Sequence, residues 1–331
     1  MQTVREWLQL FRAQTAPATL MLVLVPFLAG GVDIGRALVL GFTAIAVHYI
    51  SFGHNSLMDS CTVPKIGALP YDAQDPNKQH HPLIRGTISL RTAKRVILWA
   101  YLGLAAFLVF LTMAWSREES LALASLVMFL VGGFAYNEGL DKEDLLGFVP
   151  ITVCFTSLAA WAWFMGHDEL GEVGGLYLLY VMLTILYQIS WSGHLKELGV
   201  KERSNLLIRL GASLERGFFR PGWSAGWGVT IKACGIITGA ALVLTGVTPG
   251  RVLWAVSMLW LMVVLLVEQV VSRPYVRSRE LLTMSLMEIV TIYMPIPILI
   301  SWNAAIILML IGLLYFFGMN RLLWRAMHPG V

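Results

Sequence analysis

The sequence predicts an all-α membrane bundle of nine to ten spans, and three observations carry the prediction. Of the 331 residues, 57% are hydrophobic and only 13% are charged, with a mean hydropathy of +0.70; soluble domains average about 25% charged residues. The chain also supplies many apolar runs near the roughly 20 residues that a helix needs to cross a hydrocarbon core of about 30 Å. Finally, these runs lack the two-residue alternation of a closed β-barrel, which excludes that membrane class. Residues 1–331 are expected to form a single integral membrane domain.

In order, the apolar segments are roughly 15–31, 36–54, 95–115, 119–136, 146–166, 174–193, 226–246, 251–271, 282–300 and 303–319. The first follows an amphipathic stretch, Met1 to Arg12, without a short apolar core and small-residue cleavage site, so no signal peptide is expected. Long polar stretches, 55–94 and 194–225, follow the second and sixth segments; shorter ones, 137–145 and 272–281, follow the fourth and eighth. Pro295 and Pro297 break the ninth segment, and Ser301-Trp302-Asn303 is a very short turn, so a nine-span count makes one long bent helix of the last two.

Charge sets the expected orientation. With the N-terminus in the cytoplasm, alternation puts 21 of the 24 Lys and Arg inside, including Lys232 just inside the seventh span. Only Arg36, Arg117 and Arg251 fall outside, and the 165–175 turn carries only Asp168, Glu169 and Glu172. That asymmetry follows the positive-inside rule and turns every long polar loop to the cytoplasm. The expected setting is the plasma membrane of a prokaryote. The pI near 9.0 reflects loop lysines and arginines; no basic stripe interleaved with aromatics occurs, which excludes nucleic acid as a partner. Cys61, Cys154 and Cys234 lack metal-ligand spacing, and the last two read as small core residues.

The most informative stretch runs from His54 to Ser89. It carries Asn55, Asp59, Asp72, Asp75, Lys78, His81 and Arg85 between two apolar runs. Asn55 and Asp59 are four apart, so on a helix leaving Ser51 they share a face. Hard oxygen ligands beside Lys and Arg suit Mg²⁺ and a phosphate-bearing substrate. As ordinary structure, the same residues would be turn formers and helix caps.

This stretch resembles the first aspartate-rich motif of the UbiA family of intramembrane prenyltransferases, on Asn55, Asp59, Asp72 and the run from His81-Pro82-Leu83 to Gly86. There are departures. Ser56 stands where the family has Asp, His81 where it has Arg, and thirteen residues separate Asp59 from Asp72, with Asp75 competing as the third aspartate. The closing Leu207-Ile208-Arg209-Leu210-Gly211 resembles the ending that follows the family's second aspartate-rich motif. That motif's aspartates are missing, and His194, Glu197 and Glu202 are the available substitutes, or else the solvated face of an amphipathic helix. The resemblance implies a bundle around a central chamber, capped on the cytoplasmic side by the loops after spans two and six.

It also implies a site. Asn55, Asp59, Asp72, Asp75, Glu197 and Glu202 would hold Mg²⁺, with Asp59 and Asp72 catalytic. Arg12, Lys78, His81, Arg85, Lys142 and His194 would face the substrate. Lys142 follows Tyr136-Asn137 at the end of span four, and ordinary loop or anchor roles stand beside these for Lys142 and Arg12. The implied reaction is Mg²⁺-dependent transfer of a prenyl group from a polyisoprenyl diphosphate to a lipophilic or aromatic acceptor in the membrane. A terpene cyclase, a polyprenyl-phosphate phosphoribosyltransferase (Asp72, Pro76 and Lys78 fit its first motif) and a non-enzymatic transporter or lipid-binding protein are the alternatives. Glu268 and Glu288 are ionisable groups near membrane depth, expected to be functional or paired with Arg273 or Arg279. Phe155, Trp161, Trp163, Tyr177, Tyr187 and Trp191 read as core, belt or chamber lining.

Overall fold

The computed structural model describes residues 2–31, 33–66, 82–140, 146–195, 198, 205–245, 249–276, 280 and 294–324. Helices dominate. They are α1 (Gln2–Leu10), α2 (Ala16–Ala29), α3 (Ile34–Ile66), α4 (Leu90–Trp115), α5 (Glu119–Asn137), α6 (Phe148–Gly166) and α7 (Gly171–Tyr187), the last continuing into a π-helical turn at Gln188–Gly193. After the short α8 (Leu206–Arg209) and the strands β1 (Ser213–Glu215) and β2 (Phe218–Arg220) come α9 (Ser224–Leu244) and α10 (Pro249–Val270). Strand β3 (Arg273–Pro274), the short α11 (Pro295–Leu299) and α12 (Trp302–Trp324) complete the described elements.

Among the described residues, seven helices are long and apolar enough to cross a membrane; α1 and α2, bent by 60° at a short break, make an eighth if taken as one span. The apolar part of α10, Val252–Glu268, is shorter. Most of the expected ninth segment, with Glu288, lies outside the described residues. Two boundaries move. Helix α3 runs past residue 54 to Ile66, and α4 begins at Leu90 rather than 95, where the Ser89 side chain accepts from the Thr92 N–H and caps it.

Successive helices pack on one another, and the series closes where α12 meets α2. Helices α2 and α6 cross inside it. Helix α2 is apolar all round and buried from Met21 through Phe27, as a helix without a polar face must be. Outer helices instead show large apolar side chains, among them Trp99, Phe110, Trp260 and Leu314, the surface expected of a lipid-facing helix. Cys154 is buried as expected, but Cys234 is exposed: its side of α9 faces outward rather than into the core. Trp161, Trp163, Tyr177, Tyr187 and Trp191 are all buried, and Trp161 Nε1 donates to Thr112 Oγ1 at 2.8 Å.

The α2–α6 crossing needs bare backbone. A Cβ on Gly30 would collide with the Gly166 carbonyl, and one on Gly166 would lie 2.9 Å from the Phe27 carbonyl oxygen. Gly30→Ala is therefore expected to cost about 1–3 kcal/mol by forcing the helices apart, read as a lower melting temperature in detergent; Gly103→Ala, with nothing within 4 Å of its Cβ, is the control.

The helical bundle also carries one small sheet among the described residues. The stretch after α7 contains an antiparallel hairpin, Ser213↔Arg220 to Glu215↔Phe218, to which β3 adds through Phe219↔Arg273. Both turn residues, Arg216 (φ 51°) and Gly217 (φ 82°), are left-handed, the geometry that matches a two-residue hairpin to strand twist. Phe219 is fully buried, and this small sheet caps a cluster of Tyr187, Trp191, Leu195, Leu207 and Ile231. Tyr275 Oη donates to the Leu195 carbonyl at 2.9 Å, fastening the end of α10 to the end of α7.

Candidate active site

The polar residues gather where α3, α5 and α7 terminate, called here the loop end. Helix α3 remains helical through Asp59, so Asn55 and Asp59 stand one turn apart on the backbone. His54 and Asn55 meet Asn137 and Glu138, which end α5. Asn55 Nδ2 donates to Asn137 Oδ1 at 3.2 Å, and Asn137 Nδ2 donates to His54 Nδ1 at 3.3 Å. An amide nitrogen can only donate, so Nδ1 accepts, and Nε2 lies 3.2 Å from Glu138 Oε1. His54 is buried against the rings of Tyr101 and Phe134, while Glu138 reaches solvent.

The relay has a chemical consequence. Asn137 donates to His54 and accepts from Asn55, so Asn55 turns its nitrogen to Asn137 and keeps Oδ1 as an acceptor. That oxygen has no donor among the described residues. A carbonyl oxygen one helical turn from a carboxylate suits Mg²⁺, which takes hard oxygen ligands, few of them from protein, and keeps waters or phosphates for the rest. Ser56, where the resemblance expects Asp, is fully buried, so a carboxylate there would be desolvated against the packing. No cluster of three acidic, histidine or cysteine side chains occurs among the described residues.

Arg12 sits at the bend between α1 and α2 in the left-handed conformation (φ 47°), a strained state for a residue with a Cβ. Its carbonyl accepts from Thr15 Oγ1 at 2.9 Å and from His48 Nε2 at 3.2 Å, and its guanidinium lies 5.9 Å from the Phe52 ring centre, one turn before Asn55. His48 and Asn55 share a stripe on α3 by spacing, yet His48 turns to Thr15 and Thr19 on the first span, and Asn55 turns to α5. Arg85 is exposed at the loop end, where Nη2 donates to Gln9 Oε1 at 3.3 Å; Gln9 Nε2 in turn donates to the Leu323 carbonyl. His194 is half-buried just after the π-turn, its carbonyl accepting from Asn205 Nδ2 at 3.4 Å.

Asp72, Asp75, Lys78, His81, Lys142, Glu197 and Glu202 lie outside the described residues, and for Asp59 the backbone alone is described. Among the expected site residues, then, Asn55, Arg12, Arg85 and His194 are placed with their side chains. The Arg273 guanidinium holds Glu280 at 2.5 and 2.6 Å and donates to the Glu268 carbonyl at 2.7 Å; Glu288 and Arg279 lie outside the described residues. His54, Asn137 and Glu138 were not expected as site residues. Their signal was two adjacent polar pairs, His54-Asn55 and Asn137-Glu138, at the same ends of two spans that run in the same direction.

No family model matches the chain, and no curated protein does. Solved structures do. A UbiA homologue from Aeropyrum pernix K1 superposes with a TM-score of 0.59 at 16% identity, over 88% of this chain and 96% of that one. The chain has the UbiA fold. A UbiA homologue from Archaeoglobus fulgidus, bound to GPP and Mg²⁺, gives 0.59 at 13% identity over 89% and 99% of the two chains. A digeranylgeranylglyceryl phosphate synthase gives 0.53 at 16% identity over 98% and 99%. The UbiA fold therefore extends along nearly the whole chain, with the relay on its loop end.

The relay makes a local prediction. Asn137→Ala removes the acceptor that orientates Asn55 without touching the expected ligands. Mn²⁺ affinity, followed by electron paramagnetic resonance, is expected to fall about 10- to 100-fold, the usual loss when an outer partner of a metal ligand is removed. Unchanged affinity would separate the relay from the metal.

Proposed function

We propose that this chain transfers a prenyl group from a polyisoprenyl diphosphate to a lipophilic or aromatic acceptor within the membrane, with Mg²⁺ required. What carries the reading is the orientated Asn55 Oδ1, one turn from Asp59, on a fold it has in common with a homologue that binds GPP and Mg²⁺. Asn55, Asp59 and Asp72 would hold the ion, with Asp75, Glu197 and Glu202 as further oxygen donors. Bound there, Mg²⁺ supplies Lewis-acid stabilisation of the departing diphosphate. Arg12, Lys78 and Arg85 add charge-assisted hydrogen bonds to that group. The apolar helices around the site keep water from the allylic cation until the acceptor attacks. The charge asymmetry of the loops supports a cytoplasmic setting for this end.

The test is Mg²⁺-dependent diphosphate release from geranylgeranyl and farnesyl diphosphate in detergent, without acceptor and then with a membrane-lipid extract. Release that needs the extract and disappears in Asp72→Ala supports the transferase. Release without acceptor, yielding a hydrocarbon, identifies a cyclase. No release under either condition sinks the proposal and turns attention to phosphoribosyl transfer or a non-enzymatic role.

A further inference from the structure

Helices α7 and α9 pack antiparallel in a register that glycine makes close. A Cβ on Gly228 would lie 3.0 Å from the Trp191 ring, one on Gly235 3.9 Å from Leu183 Cβ, and one on Gly239 3.2 Å from the Tyr180 ring. Small residues at such positions let helix backbones approach in a membrane. Between Gly228 and Gly235, on the same face, the sequence places Lys232 instead. It was expected as a charge at the membrane edge. The structure buries it to 2% exposure, eight residues into α9, which at helical rise is about 12 Å from the loop end.

Lys232 Nζ has no hydrogen-bond partner among the described residues; its contact is the Tyr187 ring, 4.5 Å to the centre. Tyr187 and Trp191, both fully buried, stand one turn apart on α7 and its π-turn, and neither Tyr187 Oη nor Trp191 Nε1 has a partner among the described residues. The same interface thus holds three buried donors without acceptors among the described residues. Each such group costs free energy unless something accepts from it, and an ionisable residue at this depth is a functional candidate by default. Leu183, Leu186, Ile231 and Leu265 make the surroundings apolar.

We propose that Lys232, Tyr187 and Trp191 form a site for an oxyanion, the carboxylate or phosphate of an acidic amphiphile. An oxyanion offers several lone pairs to an ammonium, a hydroxyl and an indole N–H together, and an amphiphile's apolar body suits the flanking leucines. The site is separate from the Asn55 relay and does not depend on the transfer reaction.

The experiment is native mass spectrometry of the full chain in detergent, with EDTA present so that no metal-dependent binding contributes. Oleate, dioleoyl phosphatidate and inorganic phosphate are titrated separately. One saturable oleate or phosphatidate is expected. Its dissociation constant should rise about tenfold in Lys232→Met and about threefold in Tyr187→Phe and Trp191→Phe, with Lys232→Arg near wild type. Saturation by inorganic phosphate at the same strength, lost in Lys232→Met, would identify a free anion as the occupant. Ligand-free Lys232→Met is expected to melt higher than wild type, because it removes an unpaired buried charge. Should Lys232→Met fail to fold, Tyr187→Phe and Trp191→Phe decide. Absence of a saturable site for all three ligands, or undiminished binding in the variants that fold, overturns the proposal.

Discussion

Asp59→Asn is expected to lower kcat/KM for Mg²⁺-dependent prenyl transfer about 1,000-fold, or about 4 kcal/mol of transition-state stabilisation. The argument begins with helix geometry. Helix α3 does not stop at the apolar boundary near residue 54 but continues to Ile66, so Asp59 keeps a fixed one-turn offset from Asn55. Asn55 is orientated by Asn137, itself bonded to His54, which leaves its Oδ1 as the acceptor that the proposed metal site would use. A neutral amide at 59 keeps the volume and removes the negative charge. The loss should therefore fall on the step in which diphosphate charge develops, with the protein still folded. Rates measured against Mg²⁺ concentration separate the causes: a raised Mg²⁺ requirement together with a depressed maximum is expected. A variant within about tenfold of wild type at saturating Mg²⁺ would remove Asp59 from the metal site, since that residual loss is no more than about 1.4 kcal/mol. Asn137→Ala should show a smaller version of the same change, because it acts through Asn55.

The helical class was legible because burial in lipid imposes its own pattern. Long apolar runs have no other use at this density, and segments such as 146–166 and Phe148–Gly166 agree closely. Ends were less legible. The continuation of α3 to Ile66 includes Ser60, Thr62, Pro64 and Lys65, which read as loop by hydropathy and by a proline that disfavours helix interiors. The β-hairpin was hidden because its strands are three residues long, too short for alternation to register, with only Arg216-Gly217 as a turn signal. In the candidate site, Asn55 was visible through local spacing, whereas its partner Asn137 is eighty-two residues away and enters only through the packing of α3 on α5. Lys232 illustrates the opposite failure. Counting it as a loop charge improved the orientation argument, and only the α7–α9 register reveals it as buried.

Breaking the Arg273–Glu280 pair from one side is expected to destabilise the loop end by about 3–5 kcal/mol, while removing both partners costs little. The two side chains are 7% and 1% exposed and meet in a two-pronged contact of 2.5 and 2.6 Å. Arg273 Nε donates to the Glu268 carbonyl at 2.7 Å near the end of α10, where helical carbonyls lack backbone partners, and Nη1 also donates to the Pro274 carbonyl at 3.5 Å. The guanidinium also lies 5.9 Å from the Phe219 ring centre, so it joins α10, β2 and Glu280 at one point. Arg273→Met leaves the Glu280 carboxylate buried with its main cation gone, and Glu280→Leu leaves the guanidinium likewise. Arg273→Met/Glu280→Leu replaces both with apolar groups of similar length and leaves no orphaned charge. Melting temperatures in detergent should therefore fall strongly in each single variant and recover most of the way in the double, so that the loss in the double lies far below the sum of the two single losses. Additive losses would assign the stability to the Glu268 and Phe219 contacts instead. Because the pair anchors β3 and through it the sheet over Trp191, the single variants should also expose the second-loop cap to proteolysis before the helices of the bundle.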